Sequence, residues 1–239
     1  MVSVFKKECN AFFASPIAYL VIGVFLLING LFLWVLKDNF NILNAGFADL
    51  NSFFYVSPWL FLFLIPAITM KSFADEYNTG TIELLKTTPI TNWQIVIGKF
   101  LAALFLVVIA ILPTLTYVYT IYKLANPVGS IDIGVIVGSY IGLIFLAAAY
   151  TSIGLFASTL SKNQIVAFIV SVFCTFFMFY GFDAIAALLG SNTYWIKLMG
   201  INEHFKSISR GVLDTRDIIY FLSVSASFLF ITKNKIDHE

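Results

Sequence analysis

The chain has 239 residues, of which 60% are hydrophobic and 11% charged, and its mean hydropathy is +0.92. An ordinary soluble domain has about 45–50% apolar and about 25% charged residues, so this composition excludes one and predicts an integral membrane protein. The formal net charge of +1 offers no basic surface for nucleic acid. The lipid bilayer is therefore the first partner that we expect.

Six long apolar runs predict an all-α polytopic membrane protein, because about 20 helical residues cross the hydrocarbon core. We place the six transmembrane helices at residues 17–36, 53–70, 93–121, 133–159, 163–189 and 217–232. Lysine and arginine are slightly more frequent on the side that carries both ends of the chain. This bias places both termini in the cytoplasm and predicts a multi-pass protein of the cytoplasmic (inner) membrane.

Residues 3–14, SVFKKECNAFFA, precede the first span and predict an amphipathic helix in the plane of the membrane interface. Its apolar side carries Phe5, Cys9 and the pair Phe12 and Phe13. Pro16 then breaks the helical pattern and allows a sharp bend. We expect an elbow helix here, and the alternative is a simple leader for the first span.

Three helix starts have a capping residue followed three positions later by Gln or Asp, a pattern typical of a capping box. They are Thr91 with Gln94, Ser161 with Gln164, and Asp214 with Asp217. The pattern predicts the starts of the third, fifth and sixth spans, the first two on the cytoplasmic side and the last on the outer side.

The fourth span has a small residue at every fourth position, namely Gly134, Gly138 and Gly142. Such a helix face lets another backbone approach closely. It predicts helix packing inside the bundle, and a contact between two copies of the chain is the alternative.

The segment at residues 71–91 is polar and lies between the second and third spans. Thr81 can cap a short helix that begins at Ile82, Glu83 suits the positive end of that helix, and Pro89 ends it. A short rigid helix held between two membrane helices would suit a contact with a soluble motor. A plain structured loop explains the same residues equally well.

No enzyme site is predicted. The sequence contains no GxxxxGK[ST] motif, so the chain has no means of its own to hold ATP phosphates. The only histidines, His204 and His238, lie outside the spans, so no Ser-His pair can form within the membrane. No catalytic, cofactor-binding or metal-binding residues are expected.

Several stretches carry a family resemblance. The run KSFADEYNTGTIELLKTTPITNWQIVIGK is similar to the region between the second and third spans of type 2 ABC exporter permeases. The stretches FFASPIAYLVIGVFLLINGLFLWV, IGLFASTLSKNQIVAFIV and FKSISRGVLDTRDIIYFLSV resemble the permease subunits of gliding-motility ABC transporters of Bacteroidetes. The resemblance implies the type 2 ABC exporter permease fold, with an interfacial elbow helix, a cytoplasmic coupling helix and outer re-entrant helices.

The resemblance also implies a function and partners. The chain would be a permease subunit that couples ATP hydrolysis by a separate P-loop ATPase, present in two copies, to movement in the membrane during gliding motility. That ATPase would bind the ATP and Mg. A second permease-like membrane subunit with an extracytoplasmic domain, or a second copy of this chain, would complete the complex. The residues implied at the ATPase contact are Asp75, Glu76, Thr79, Gly80, Thr81, Glu83 and Leu84. The alternative is an ATP-driven assembly or mechanical module that acts on a cell-surface machine without a released substrate.

The outer region at residues 183–213 mixes apolar and charged side chains. The resemblance implies a re-entrant pair of helices here that closes the substrate path, while an interfacial amphipathic loop is the alternative. Candidate outer-gate residues are Asp183, Glu203, His204 and Arg210. We interpret Asp183 as the N-cap of the first re-entrant helix.

Overall fold

A computed structural model describes residues 1–83, 90–190 and 194–238, with the side chain of residue 45 left out. Within these ranges the chain forms helices and connections, with no strand. We number the helices α1 (Val2–Ala14), α2 (Pro16–Val35), α3 (Ile42–Ala45), α4 (Asn51–Thr79), α5 (Asn92–Leu124), α6 (Ile133–Ser158), α7 (Gln164–Leu189), α8 (Tyr194–Lys197), α9 (Ile201–Ile208) and α10 (Thr215–His238). Six of them, α2, α4, α5, α6, α7 and α10, are long and apolar enough to cross a membrane. The expected all-α fold with six spans is confirmed.

Helix α6 lies at the centre of the bundle and packs against α4, α7 and α10. Small residues make this possible: a Cβ atom added at Gly154 would lie 2.1 Å from Thr69 Oγ1 of α4. Tyr150 is fully buried on the same helix. By contrast, α2, α7 and α10 leave most of their residues only partly buried or exposed, so they form the periphery that faces lipid or another subunit.

The second span is longer than predicted. We expected it at residues 53–70 with a polar loop from residue 71, but α4 continues to Thr79 and ends at Gly80, whose φ of 71° stops the helix. The stretch KSFADEYNT contains no Pro or Gly, so nothing in it ends the helix. Its polarity shows only that the helix has left the hydrocarbon core. We call residues 71–79 the α4 extension.

The capping predictions fare differently at the three helix starts. At α5 the reciprocal capping box of Thr91 and Gln94 is confirmed. At α7 the prediction was wrong, because the capping side chain is Asn163, which accepts from the Ile165 backbone N–H. At the start of α10, Asp214 Oδ1 accepts from the Arg216 backbone N–H.

The connection between the fifth and sixth spans, which we call the outer segment after its predicted side, also differs from expectation. Asp183 is not an N-cap, because α7 runs without interruption through a wider, π-type turn at Phe177–Gly181 and on to Leu189. The outer segment therefore begins later than residue 183, and its described helices are α8 and α9. Helix α9 is amphipathic and buries Ile201, Phe205 and Ile208 against the bundle.

Candidate functional site

Four charged side chains meet at the end of the bundle that carries α1, and we call them the Lys99 cluster: Lys7, Glu8, Glu76 and Lys99. Lys99 Nζ donates hydrogen bonds to Glu76 Oε1 at 2.8 Å, to Glu8 Oε1 at 2.9 Å and to the Ser72 carbonyl oxygen at 2.7 Å. An ammonium group has three N–H donors, so all of them are used. The Lys99 side chain is only 2% exposed, so this is a buried site.

Lys7 completes the cluster at its outer edge. Its Nζ lies 3.2 Å from Glu76 Oε1 and 3.6 Å from Glu8 Oε1, and its side chain is 56% exposed. Burial lowers the pKa of Lys7, but the charges and hydrogen bonds of Glu76 and Glu8 raise it, and the net change is an increase. Two ammonium groups therefore face two carboxylates, and the cluster is electrically neutral.

Close packing of α1 on α5 brings Glu8 to Lys99. A Cβ atom at Gly98 would lie 2.9 Å from Val4 Cβ, so only glycine allows this approach of the two helices. Ser15, in extended conformation, and Pro16, the first residue of α2, turn the chain between α1 and the first span. The α4 extension then supplies Glu76 from the opposite side.

A buried cluster of this kind fixes geometry more than it adds stability. The cost of removing charges from water offsets much of their attraction, but removing one partner leaves an uncompensated buried charge. The Lys99 ammonium also lies 5.1 Å from the centre of the Phe73 ring, at the edge of cation–π range. The cluster thus holds α1, the α4 extension and α5 in one fixed arrangement.

Two further polar contacts tie other helices to the same end of the bundle. Gln164 at the start of α7 donates a hydrogen bond to Asp75 Oδ1 of the α4 extension. Asn92 at the start of α5 donates to Asp237 Oδ1 of α10 at 2.7 Å. Five helices, α1, α4, α5, α7 and α10, are therefore joined through side chains at this end.

Most of the predicted ATPase-contact residues lie on the solvent side of this arrangement. Thr79, Gly80, Thr81 and Glu83 are exposed, and the Thr79 hydroxyl donates to the Asp75 carbonyl oxygen at 2.7 Å. Helical backbone begins again at Thr81, and Leu84 and the rest of the predicted coupling helix lie outside the described residues.

The two acidic residues predicted at the ATPase contact do not lie on this exposed side. Glu76 is buried in the Lys99 cluster, and Asp75 is half-buried against α7. The two carboxylates support the exposed segment from behind and do not form its outer surface.

At the opposite end of the bundle, His204 connects α9 to α10. Its Nδ1 lies 2.6 Å from Asp217 Oδ1, its Nε2 lies 2.9 Å from the Leu198 carbonyl oxygen, and its ring stacks on Tyr220 with centroids 3.9 Å apart. Both ring nitrogens therefore lie within hydrogen-bond distance of an oxygen atom. This contact fastens the outer segment to the last span.

The other candidate gate residues do not converge on His204 in the described contacts. Asp183 accepts a hydrogen bond from Asn202 Nδ2 at 2.5 Å, Glu203 is half-buried, and Arg210 is exposed. The structure therefore brings Asp183 and His204 into two separate contacts of the outer segment.

The glycines of α6 make their close contacts within the chain. A Cβ atom at Gly142 would lie 2.8 Å from Ile208 Cγ2, and one at Gly138 would lie 3.2 Å from Gly211 Cα. Gly134 has only the Asp132 side chain nearby. The outer segment thus covers Gly138 and Gly142, which favours helix packing over a contact between copies at these two positions.

Sequence reasoning missed Glu8, Lys99 and Asp217 as members of these contacts. Glu8 and Lys99 are ordinary charged residues near the start of a predicted span, so neither stands out in the sequence. One signal was available: Gly98 beside Lys99 indicates a close helix approach at the position where a charge would be buried.

This architecture, with six apolar helices, a helix that precedes the first of them and the Lys99 cluster at one end, is that of a polytopic membrane protein. The family model described as "ABC-2 family transporter protein" matches residues 3–209, which is most of the chain. The chain belongs to this family, and it is accordingly a membrane permease subunit of an ABC transporter, a kind of subunit that works with an ATPase. No curated protein matches the chain.

Proposed function

We propose that this chain receives movement from a separate P-loop ATPase at the exposed segment beyond the α4 extension, and passes it into the membrane helices as part of a gliding-motility transporter. The resemblance of residues 71–99 to the corresponding region of type 2 exporter permeases supports the contact. The resemblance of three further stretches to gliding-motility permeases supports the biological role. The end of the bundle with α1 then faces the cytoplasm.

The observation that carries this proposal is the Lys99 cluster directly behind the exposed segment. Glu76 lies only three residues before Thr79, and the cluster joins its helix to α1 and α5. A contact that transmits force must not deform locally, and a buried cluster in which the Lys99 ammonium uses all three of its donors supplies that stiffness. Movement of Thr79–Glu83 would therefore reach three helices together.

The partners follow from the same proposal. The ATPase, in two copies, binds ATP and Mg, and a second permease-like subunit with an extracytoplasmic domain, or a second copy of this chain, pairs with the six spans. The exposed apolar side chains of α7, among them Ile165, Ile169 and Phe173, offer a surface for such a subunit. An assembly module without a released substrate would use the same contact and the same Lys99 cluster. ATP hydrolysis that increases with a diffusible substrate would indicate the transporter.

The test is photochemical or thiol cross-linking from Thr81→Cys in a chain with Cys9→Ser and Cys174→Ser, in native membranes. We expect mass spectrometry to identify a P-loop ATPase in the cross-linked product. The matched control is Ser130→Cys, an exposed position at the other end of the bundle, which should capture no ATPase. If the thiol at position 81 is labelled freely by a soluble reagent and captures no ATPase, the proposed contact is wrong.

A further inference from the structure

A half-open cavity of about 290 Å³ lies beside the Lys99 cluster, between α1, the start of α2 and the α4 extension. This volume is near the lower limit for ligand pockets, about 300 Å³, and is sufficient for a small polar group. Asp75 and Glu76 line the cavity, but the exposed segment Thr79–Glu83, where the ATPase contact is proposed, does not.

The cavity has two kinds of wall. Phe12, Ile17 and Ile68 form an apolar side, where α1 meets the first two spans. The charged residues Lys71 and Asp75 follow Ile68 along the same face of α4, towards the end of the bundle. An amphiphilic cavity at the point where an interfacial helix joins a span lies at the depth where lipid headgroups meet acyl chains.

The charges in the cavity balance. Lys7, Lys71 and Lys99 face Glu8, Asp75 and Glu76, so the lining carries no net charge. Lys99 uses its three donors on Glu8 Oε1, Glu76 Oε1 and the Ser72 carbonyl oxygen, whereas Glu76 Oε2 is buried without a hydrogen-bond partner among the described residues. Among the described residues Lys71 has no ion-pair partner, and Lys7 is more than half exposed, so two ammonium groups remain available at the mouth. Asp75 uses Oδ1 to accept from Gln164, which leaves Oδ2 as an acceptor.

We propose that this cavity binds the headgroup of an aminophospholipid from the surrounding leaflet, with a phosphodiester and a primary ammonium group. Lys7 and Lys71 hold the phosphate, Asp75 accepts from the ammonium, and the acyl chains follow Ile17 and Ile68. A neutral cavity favours a zwitterionic headgroup, because an anionic one would introduce an uncompensated charge. Choline has no N–H to donate to Asp75, so phosphatidylethanolamine should bind better than phosphatidylcholine.

The test is native mass spectrometry of the purified full chain with equimolar phosphatidylethanolamine, phosphatidylcholine and phosphatidylglycerol. We expect the wild type to retain phosphatidylethanolamine over either competitor by about tenfold, the effect of one charge-assisted contact. Lys71→Gln should abolish this preference. Lys162→Gln, an exposed lysine at the same end of the bundle, is the matched control and should keep it.

Asp75→Asn provides a second and independent readout. It leaves the cavity with a net positive charge, so the preference should move from phosphatidylethanolamine to the anionic phosphatidylglycerol. Equal retention of the three lipids by the wild type, or a preference unchanged by Lys71→Gln, would overturn the proposal. Soluble phosphoethanolamine at the same concentration should not displace the lipid, and displacement would show that a free phosphate compound is the ligand instead.

Discussion

Replacing Lys99 with methionine tests whether the buried cluster organises its end of the bundle. Methionine keeps much of the length and volume of the side chain but removes the charge and all three hydrogen bonds. Glu8 Oε1 and Glu76 Oε1 are then left no more than 5.7 Å apart, the sum of their distances to Nζ. Both carboxylates stay buried, with only the exposed Lys7 to compensate them.

The size of the effect follows from these distances. At an effective dielectric constant of about 20, unit charges about 2.9 Å apart attract by roughly 6 kcal/mol. Desolvation offsets much of that gain in the wild type, but in Lys99→Met the carboxylates keep their desolvation cost and lose the attraction. Breaking a buried ion pair on one side costs about 3–5 kcal/mol. We expect the free energy of unfolding to fall by this amount.

Thermal unfolding of the purified chain in detergent measures the change. A loss of about 3–5 kcal/mol lowers Tm by about 6–20 °C for a chain of this size. The matched control is Lys162→Met, an exposed lysine whose replacement should change the free energy by less than about 0.5 kcal/mol.

A compensated variant separates electrostatics from packing. Adding Glu8→Gln and Glu76→Gln to Lys99→Met removes every buried charge of the cluster and leaves only Lys7, whose side chain is 56% exposed, so the triple variant should recover most of the lost Tm. A Lys99→Met chain as stable as the wild type would refute the reasoning. So would a triple variant no more stable than the single one, because the loss would then come from packing alone.

Three further outcomes are expected. Gly98→Val should destabilise the chain by about 1–3 kcal/mol, because its side chain would enter the space of Val4, and Val4→Ala should restore part of the loss in thermal unfolding. Burial and the neighbouring Glu8 raise the pKa of Cys9, so its thiolate fraction is low at neutral pH and maleimide labelling should be slow. Glu8→Gln should shift the pH profile of that labelling to lower pH, and an unchanged profile would contradict the electrostatic contribution of Glu8. Asn163→Ala should cost about 1 kcal/mol as the loss of a helix cap, and a loss no larger than that of an exposed substitution would contradict its assignment.

The six spans could be predicted from sequence because length and continuous apolarity are local properties. The end of the second span could not, since polarity and helix formation are different quantities. Lys71–Thr79 is polar because it lies outside the hydrocarbon, and it is helical because it continues α4 without Gly or Pro and packs against α6 and α7. Gly80 ends the helix in a left-handed conformation that favours glycine. This glycine was therefore a more reliable sequence signal of the helix end than the start of polarity at Lys71.

The candidate site was harder to predict, because its members are distant in sequence. Glu8 and Lys99 are separated by 91 positions, and Glu76 and Lys99 by 23. Each is an ordinary ionisable residue near the end of a span, where such side chains usually reach water. Only the tertiary approach of α1 to α5 turns them into a buried cluster, and no periodic pattern within a single helix encodes that approach.

The position of α10 has a consequence for the whole bundle. Near its last turn Asp237 is bonded to Asn92, and near its first turn Asp217 is bonded to His204. Helix α10 is thus hydrogen-bonded to α5 at one end of the bundle and to the amphipathic helix α9 at the other. A tilt of α5 relative to the bundle would therefore be transmitted through α10 to α9 at the opposite end for as long as both contacts hold. One helix thus links the two ends of the bundle mechanically.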